Sequence, residues 1–204
     1  METHLKLVGR PEAVQHAALA EIIGSNAVLM NVLGVLREEA LPDAWVVAGA
    51  IYNLVWNRLT GRPDLNGIND IDVFYYDGAD LSYGAEDAVI ERLARRLGHL
   101  PLPVQVRNQA RVHLWFPQKF GIPFTPLASS LEMLGRYASK THAVAAQLTA
   151  DGVLRIHTPF GLDDIFSFRV TPNRVLANRA AHEAKAARAK AAWPELTVLP
   201  WDES

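Results

Sequence analysis

The stretch Gly67-Ile68-Asn69-Asp70-Ile71-Asp72-Val73-Phe74-Tyr75-Tyr76 is typical of a turn that runs into a β-strand. Glycine and asparagine favour the turn, and the β-branched and aromatic residues from Ile71 onward favour a pleated strand. Because side chains alternate between the two faces of a strand, Asp70 and Asp72 are predicted to point the same way, with their carboxylates close together. Two such anions repel each other unless a cation or hydrogen bonds compensate. The pair predicts either a site for a hard divalent cation such as Mg²⁺ or a solvated pair at the start of a strand.

The composition is that of an ordinary globular protein. The chain has 204 residues, of which 50% are hydrophobic and 21% charged, and its formal net charge is −2. This charge gives no general reason to expect nucleic acid or an anionic membrane as a partner. The absence of cysteine excludes disulfides, thiolate metal sites and a cysteine nucleophile. Residues 1–10 lack the features of a signal peptide, and no apolar stretch approaches the roughly 20 residues that span a bilayer. The sequence therefore predicts a cytoplasmic protein without a membrane partner.

The chain is predicted to form a single domain in three parts. Residues 1–40 are an N-terminal helical extension, residues 41–172 the core, and residues 173–204 a C-terminal helix with a loose tail. Strands alternate with helices early in the core, and Asp151-Gly152 is a strong turn signal for a later hairpin. This order predicts an α/β or α+β fold, with a mixed sheet covered by helices.

The segment before the aspartates joins an apolar strand at residues 45–48 to a helix through Gly49. A helix that starts in this way leaves backbone N–H groups free, and such groups suit phosphate. Most strand–glycine–helix junctions bind nothing, so the glycine by itself indicates only a turn.

A third strand is predicted at residues 103–107, with residues 108–115 as its continuation and a loop over residues 116–126. In a continued strand, Arg107, Arg111 and His113 would share one face beside the aspartates. They would form a cationic wall suited to phosphate or to an acidic acceptor. The alternative is an exposed polar strand face.

The order of these elements resembles the nucleotidyltransferase fold of the DNA polymerase beta superfamily. Its signature is a glycine and a small residue at a helix start, an aspartate pair on the next strand, and a third acid one strand later. More narrowly, the chain resembles a family of nucleotidyltransferase-like proteins of unassigned substrate, over roughly residues 42–172. The matching blocks are Ala48-Gly49-Ala50-Ile51-Tyr52-Asn53-Leu54-Val55-Trp56, Asn69-Asp70-Ile71-Asp72-Val73, Arg107-Asn108-Gln109-Ala110-Arg111-Val112-His113-Leu114-Trp115 and Pro159-Phe160-Gly161-Leu162-Asp163-Asp164-Ile165-Phe166.

This resemblance implies transfer of a nucleotidyl group from a nucleoside triphosphate to an unidentified hydroxyl or phosphate acceptor, with release of pyrophosphate. Carried over by position, Asp70 and Asp72 would be the catalytic pair and would hold Mg²⁺ or Mn²⁺. The nucleotide-binding residues would be Gly49, which with the backbone amides of Ala50 and Ile51 would cradle the β- and γ-phosphates, and Arg107 or Arg111, which would support charge on the donor or acceptor.

The third acidic position of the signature is where this sequence departs from it. Strand alternation predicts that the side chain pointing with the aspartates is that of Gln105. Glutamine can coordinate a metal through its carbonyl oxygen, but it is neutral and cannot act as a base. The lost negative charge also weakens attraction for a second metal ion. Three interpretations stay open: a shifted strand register, an enzyme with two acids, or a module that binds nucleotide or a partner without turnover.

The remaining motifs add no further chemistry. No serine lies in a G-x-S-x-G turn, and no histidine pair has the spacing of a zinc site. The final helix is predicted at residues 174–192 and carries Arg174, Arg179, Lys185, Arg188 and Lys190. Alanine-rich helices with scattered charges are usually solvated, and this one lacks aromatic residues for base stacking. Nucleic acid is therefore not expected as a partner.

Overall fold

The computed structural model describes residues 3–202, so the two residues at each end of the predicted domain lie outside the described range. The α-helices are α1 (Glu12–Gly24), α2 (Ala27–Glu38), α3 (Gly49–Thr60), α4 (Tyr83–Leu97), α5 (Val112–Phe120), α6 (Asp163–Phe166) and α7 (Arg179–Ala192). The strands are β1 (Trp45–Val47), β2 (Ile71–Tyr75), β3 (Val104–Asn108), β4 (Ala145–Leu148), β5 (Leu154–His157), β6 (Arg169–Val170) and β7 (Thr197–Val198). Short 3-10 helices cover Thr3–Leu5, Gln109–Arg111, Leu131–Arg136 and Lys140–His142.

The central sheet has the strand order β3-β2-β1-β4-β5. Strands β2 and β3 run parallel, and the other neighbours run antiparallel. The β4–β5 hairpin turns around Asp151-Gly152, as predicted, and the Thr149 hydroxyl accepts a hydrogen bond from the Val153 amide at 3.0 Å there. The predicted α/β (α+β) fold, a mixed sheet covered by helices, is confirmed.

The two faces of this sheet differ in chemistry. Val46, Val73 and Val106 lie side by side in register on one face and are buried against the helices α1 to α4. The adjacent register row places Val47 opposite Asp72, and Asp72 opposite Gln105. Because the pleat sends successive side chains to opposite faces, the first row forms the apolar core and the second points away from it.

Local sequence explains where two of the covering helices begin. The Asn26 side chain accepts a hydrogen bond from the Leu29 amide at 2.9 Å and caps α2. The Ser82 hydroxyl accepts one from the Ala85 amide at 3.2 Å and caps α4. Such caps satisfy amides that the first turn of a helix leaves without a partner.

The predicted continuation of the third strand beyond Asn108 is wrong. The Asn108 carboxamide accepts hydrogen bonds from the Asp77 and Ala110 amides, both at 3.1 Å, and donates one to the Asp77 carbonyl at 2.8 Å. These bonds turn the chain at the end of β3 into a 3-10 helix and then into α5. The predicted loop over residues 116–126 is wrong in its first part, because Phe116 packs in a small apolar cluster and α5 continues through Pro117 to Phe120.

The predicted loose tail is also wrong in part, because the chain after α7 is anchored. β7 pairs in parallel with β6, and Trp193 and Leu196 are buried in an apolar cluster with Trp56. The indole N–H of Trp193 donates to the Asn57 side chain at 2.9 Å. Helix α7 is therefore fixed against α3, although it begins five residues later than predicted.

Gly67 gives a direct test of this anchoring. A Cβ at this position would lie 2.6 Å from Cη2 of Trp193, and the Gly67 φ of +68° is unfavourable for alanine. Gly61 shares that φ, but a Cβ added there would have no atom within 4 Å, so Gly61→Ala is a matched control. We expect Gly61→Ala to cost about 1–2 kcal/mol of unfolding free energy from backbone strain. Gly67→Ala should cost about 1–3 kcal/mol more, from overpacking. Urea denaturation measures both, and equal losses would contradict the contact.

No single helix in residues 3–202 is long and apolar enough to cross a membrane. Helices α1 and α2 reach that length and composition only as a pair, and the pair is bent by 90°.

Candidate functional site

A cleft of about 480 Å³ lies where the loop before β2, the first turn of α3 and one side of α7 meet. It is lined by Ala48, Gly49, Tyr52, Asn53, Gly67, Ile68, Asn69, Asp70, Asp72, Gln105, Lys185, Arg188, Ala189, Ala192 and Trp193. Of the predicted site residues, the structure thus brings together Gly49, Asp70, Asp72 and Gln105.

The two carboxylates occupy the strand side of the cleft. Asp72 lies within β2, and Asp70 immediately precedes that strand, so both side chains reach the same face. Gln105 lies opposite Asp72 in the parallel β2–β3 register, as strand alternation predicted. Its amide Nε2 donates a hydrogen bond to Asp70 Oδ2 at 2.5 Å. The neutral glutamine therefore supports one carboxylate without adding a third charge.

The charged form of Asp72 is unfavourable in this cleft. Burial raises the pKa of Asp72 to about 6, and the neighbouring Asp70 carboxylate contributes to that rise, while Lys185 and Arg107 act in the opposite direction. Asp72 is therefore partly desolvated and lies beside a second carboxylate. A cation that binds beside a carboxyl group with a raised pKa stabilises its charged form.

The β1–α3 junction places Ala48 and Gly49 in the cleft lining, whereas the predicted site residue Ala50 is buried outside that lining. Ala48 adopts a φ of 56° and a ψ of −117°, a rare conformation for a residue other than glycine, and caps α3 without a side-chain hydrogen bond. Within the described chain, no acceptor bonds to the amides of Gly49 and Ala50. The Ile51 amide donates to the Ala48 carbonyl at 2.9 Å, so this member of the predicted phosphate cradle is already occupied. Strained residues of this kind are concentrated at functional sites.

Asn53 is a cleft residue that the sequence analysis missed. It is 9% exposed, it lines the cleft, and its Oδ1 atom has no hydrogen-bond partner in residues 3–202. A buried polar atom without a partner costs free energy, which a ligand could recover. The available signal was a polar residue within the apolar run of α3.

A neutral aromatic cluster lies beside the carboxylates. Tyr52 stacks on His142 with ring centroids 4.6 Å apart. Burial lowers the pKa of His142 to about 3 and raises the pKa values of Tyr52 and Tyr137 above their usual range, with Asp72 adding to both tyrosine shifts. All three side chains therefore remain uncharged near neutral pH, and Tyr52 is the member of this cluster that lines the cleft.

Helix α7 contributes two cationic side chains to the cleft, although the sequence predicted that this helix is solvated. Lys185 and Arg188 both line the cleft, one turn apart. Desolvation lowers the pKa of Lys185, while the charge of Asp72 opposes that shift and Arg188 reinforces it. The available signal was their spacing beside Ala186 and Ala189, which form the buried side of the helix.

The loop that carries Asp70 is held by one buried side chain. Asn57, with 0% exposure, donates through Nδ2 to the carbonyls of Asp64 at 2.9 Å and Asn66 at 2.8 Å. Its Oδ1 accepts the Trp193 indole N–H. Asn57 thus connects α3, the loop and α7, the three elements that form the cleft.

The structure separates Arg111 from this cleft. Its guanidinium forms an ion pair with Glu86 and donates to the Leu81 carbonyl at 2.9 Å, and both partners of the pair are largely buried. The predicted cationic wall is therefore wrong, because the chain turns at Asn108 and carries Arg111 and His113 onto other elements. Arg107 stays on β3 and acts electrostatically on Asp72, outside the cleft lining.

The acidic residues fit one hard divalent cation. No group of three or more histidine or acidic side chains that could hold a metal is present in residues 3–202. Mg²⁺ is commonly bound by one or two carboxylates, completed by water and substrate phosphates. Asp70 and Asp72 provide such a pair, and the Gln105 amide oxygen is an additional neutral donor.

A family model and a solved structure of similar fold agree with this architecture. A family model described as Nucleotidyltransferase matches residues 34–198. A solved structure, titled as an NMR structure that reveals a CCA-adding enzyme head domain, is 22% identical over 90% of this chain and 95% of that chain, with a TM-score of 0.72. A crystal structure of a tRNA nucleotidyltransferase complexed with a primer tRNA and an incoming ATP analog is 17% identical over 79% of this chain and 43% of that chain, with a TM-score of 0.42. No curated protein matches the chain in sequence.

Proposed function

The chain belongs to this nucleotidyltransferase family, and we propose that it moves a nucleotidyl group from a nucleoside triphosphate to a hydroxyl or phosphate acceptor, dependent on a divalent cation. The observation that carries the proposal is the meeting of two repelling carboxylates and a free helix N-terminus in one cleft. A carboxylate pair suits a metal, and free amides at a helix start suit phosphate. Together they match the two ends of a metal–triphosphate substrate.

The donor would lie between α3 and β2. The amides of Gly49 and Ala50 would donate to phosphate oxygens, and the free Oδ1 of Asn53 would accept a hydrogen bond from the donor or from water. Asp70 and Asp72 would hold Mg²⁺ or Mn²⁺, which when bound neutralises charge on the phosphates and lowers the pKa of an attacking hydroxyl. The hydrogen bond from Gln105 would orient Asp70 for that task.

In the transfer itself, the acceptor oxygen bonds to the α-phosphorus as the bond from that phosphorus to the β-phosphate bridging oxygen breaks. Pyrophosphate leaves, and the acceptor proton passes to solvent or to a carboxylate of the cleft. Gln105 cannot take that proton, because its amide is neutral and lacks basicity near neutral pH. Catalysis would therefore rest mainly on positioning and electrostatic stabilisation, which usually dominate phosphoryl chemistry.

The hydrogen bond from Gln105 to Asp70 supports a second candidate function. It occupies one oxygen of the carboxylate pair, at the position where the resembled superfamily has a third acid. A site with fewer charges attracts a second metal less strongly. The second candidate is a module that binds nucleotide or a partner without turnover.

Release of pyrophosphate distinguishes the two candidates. The purified protein is incubated with each ribonucleoside triphosphate, Mg²⁺ or Mn²⁺, and a panel of hydroxyl and phosphate acceptors. The panel includes RNA, because two cations of α7 line the cleft. Nucleic acid was not expected from the sequence only because this helix was predicted to be solvated. Release that needs both metal and acceptor supports transfer. Triphosphate binding without release across the panel supports the binding module.

Gly49→Ala tests the contact between donor and helix. In the unbound protein a Cβ on Gly49 would lie 3.7 Å from Asn53 Nδ2 and 3.9 Å from Tyr52 Oη, which are ordinary contacts. We therefore expect unchanged or slightly higher stability, since alanine favours helices by about 1 kcal/mol over glycine. The methyl group would stand where phosphate approaches, so triphosphate affinity should fall by about tenfold or more. Calorimetric titration with ATP and Mg²⁺ measures it.

Gly84→Ala is the matched control for that substitution. Gly84 lies in the first turn of α4, where a Cβ would have no atom within 4 Å, and it is not part of the cleft lining. Its affinity for ATP should equal that of the original protein. Equal affinity in Gly49→Ala would show that phosphate does not approach this glycine.

A further inference from the structure

The basic residues of α7 are in two different electrostatic situations. Arg179 pairs with Glu183 at 2.7 Å and with Asp202 at 2.5 Å. Lys190 donates to the carbonyls of Pro194, at 2.7 Å, and Leu196. These two cations are neutralised or hydrogen-bonded within the protein and lie outside the cleft lining.

Lys185 and Arg188 lie in the cleft, and within residues 3–202 neither forms an ion pair with a carboxylate. The ammonium of Lys185 lies 5.9 Å from the Tyr137 ring centroid, and its charge acts on Asp72 across the cleft. Two unpaired cations beside the uncharged Tyr52 side chain attract an anion to that side of the cleft. The anion must also fit the part of the cleft lined by Gly49, whose amide has no acceptor within residues 3–202.

We propose that Lys185 and Arg188 bind the β- and γ-phosphates of the donor from α7, opposite the first turn of α3. This assignment rests on the proposed nucleotidyl transfer and deepens it, because it gives the triphosphate two facing sets of donors. A divalent cation bound by Asp70 and Asp72 would neutralise the two carboxylates. Both α7 cations would then be available to bind phosphate. The same contacts would stabilise pyrophosphate as it leaves, since its negative charge increases when the bond to the α-phosphorus breaks.

The test uses inorganic triphosphate with Mg²⁺, so that no base or sugar contributes to binding. Calorimetric titration of the full chain is compared with the variants Lys185→Met and Arg188→Met. Each is expected to weaken binding by about tenfold, and the double variant by about a hundredfold, as for the loss of hydrogen bonds to a charged group. Lys185→Arg should retain most of the affinity. The affinity of each methionine variant should depend less on salt than that of the original protein.

Arg179→Met is the matched control, because it removes a cation from the same helix outside the cleft. It should leave triphosphate affinity unchanged. An unchanged urea denaturation midpoint and near-ultraviolet circular dichroism spectrum, to which the buried Trp193 contributes, would show that each variant keeps its tertiary packing. If the original protein binds triphosphate and both cleft variants bind it equally well, the inference is overturned while the proposed function stands. If the variants lose only affinity for RNA, α7 is a nucleic-acid surface and the inference is likewise overturned. Failure of the original protein to bind any triphosphate overturns the proposed function together with this inference.

Discussion

Asp72→Asn is expected to lower the rate of metal-dependent pyrophosphate release by about 10²- to 10³-fold, the size of effect seen when one preorganised charge-stabilising group is removed. The physical reason is that an amide cannot supply the negative charge that holds a divalent cation beside the phosphates. Asp70→Asn should act in the same direction. Asp77→Asn is the matched control, since Asp77 follows the other end of β2 and accepts the Ala79 amide hydrogen bond at 2.9 Å, which asparagine can also accept.

Asp72→Asn should be more stable than the original protein when no divalent cation is present. Burial raises the pKa of Asp72 from 3.8 to about 6, so between these pH values the folded protein keeps a proton that the unfolded chain releases. The stability contributed by this group is fully present below pH 3.8 and is lost as the pH rises through about 6. At pH 7 we expect the unfolding free energy of Asp72→Asn, measured by urea denaturation, to exceed that of the original protein by about 1–3 kcal/mol. This difference should vanish in acid.

These two measurements separate a metal site from a structural pair. Affinity for Mg²⁺ should rise over the pH range in which Asp72 ionises, because the cation needs the carboxylate. If Asp70→Asn and Asp72→Asn both unfold the protein, the pair is structural and the site assignment fails. If both fold and keep full activity, catalysis takes place elsewhere.

The strand side of the site could be predicted because it depends on short-range rules. Alternation within a strand was enough to place Asp70 and Asp72 on one face, and the turn signal at Gly49 marked the start of α3. The expectation that Gln105 points with them also used the resemblance to the superfamily, because the pairing of β2 with β3 is a long-range contact. The mixed sheet follows from the same local patterns.

The α7 side of the site could not be predicted, because long-range packing creates it. Trp193 packs against Gly67 and bonds to Asn57, and these contacts bring Lys185 into the cleft from more than a hundred residues away in sequence. Periodicity identifies the buried side of a helix but not what it packs against. The error at Arg111 has a similar origin, because the hydrogen bonds of Asn108 turn the chain where propensity favoured a longer strand.

Arg111→Met is expected to cost about 3–5 kcal/mol of unfolding free energy, because it leaves the Glu86 carboxylate buried without its cation. Glu86 is 6% exposed, and its remaining hydrogen bond comes from the Asn108 amide at 2.8 Å. Urea denaturation measures this loss. The double variant Glu86→Gln with Arg111→Met should recover part of it, since no uncompensated charge then remains.

The same substitution distinguishes the structural position of Arg111 from the nucleotide-binding role that the sequence predicted for it. Arg111 lies outside the cleft, so the folded Arg111→Met protein should bind ATP with Mg²⁺ as the original protein does. Arg107→Met is the matched control: its guanidinium is exposed and bonds only to its neighbour's carbonyl at 2.8 Å within the described chain, so stability should barely change. Its charge lowers the pKa of Asp72, so its loss should shift the metal-binding pH profile upward. If Arg111→Met is stable but binds ATP more weakly, phosphate rather than Glu86 is the partner of the Arg111 guanidinium. The structural role assigned to Arg111 and its exclusion from nucleotide binding would then both be wrong.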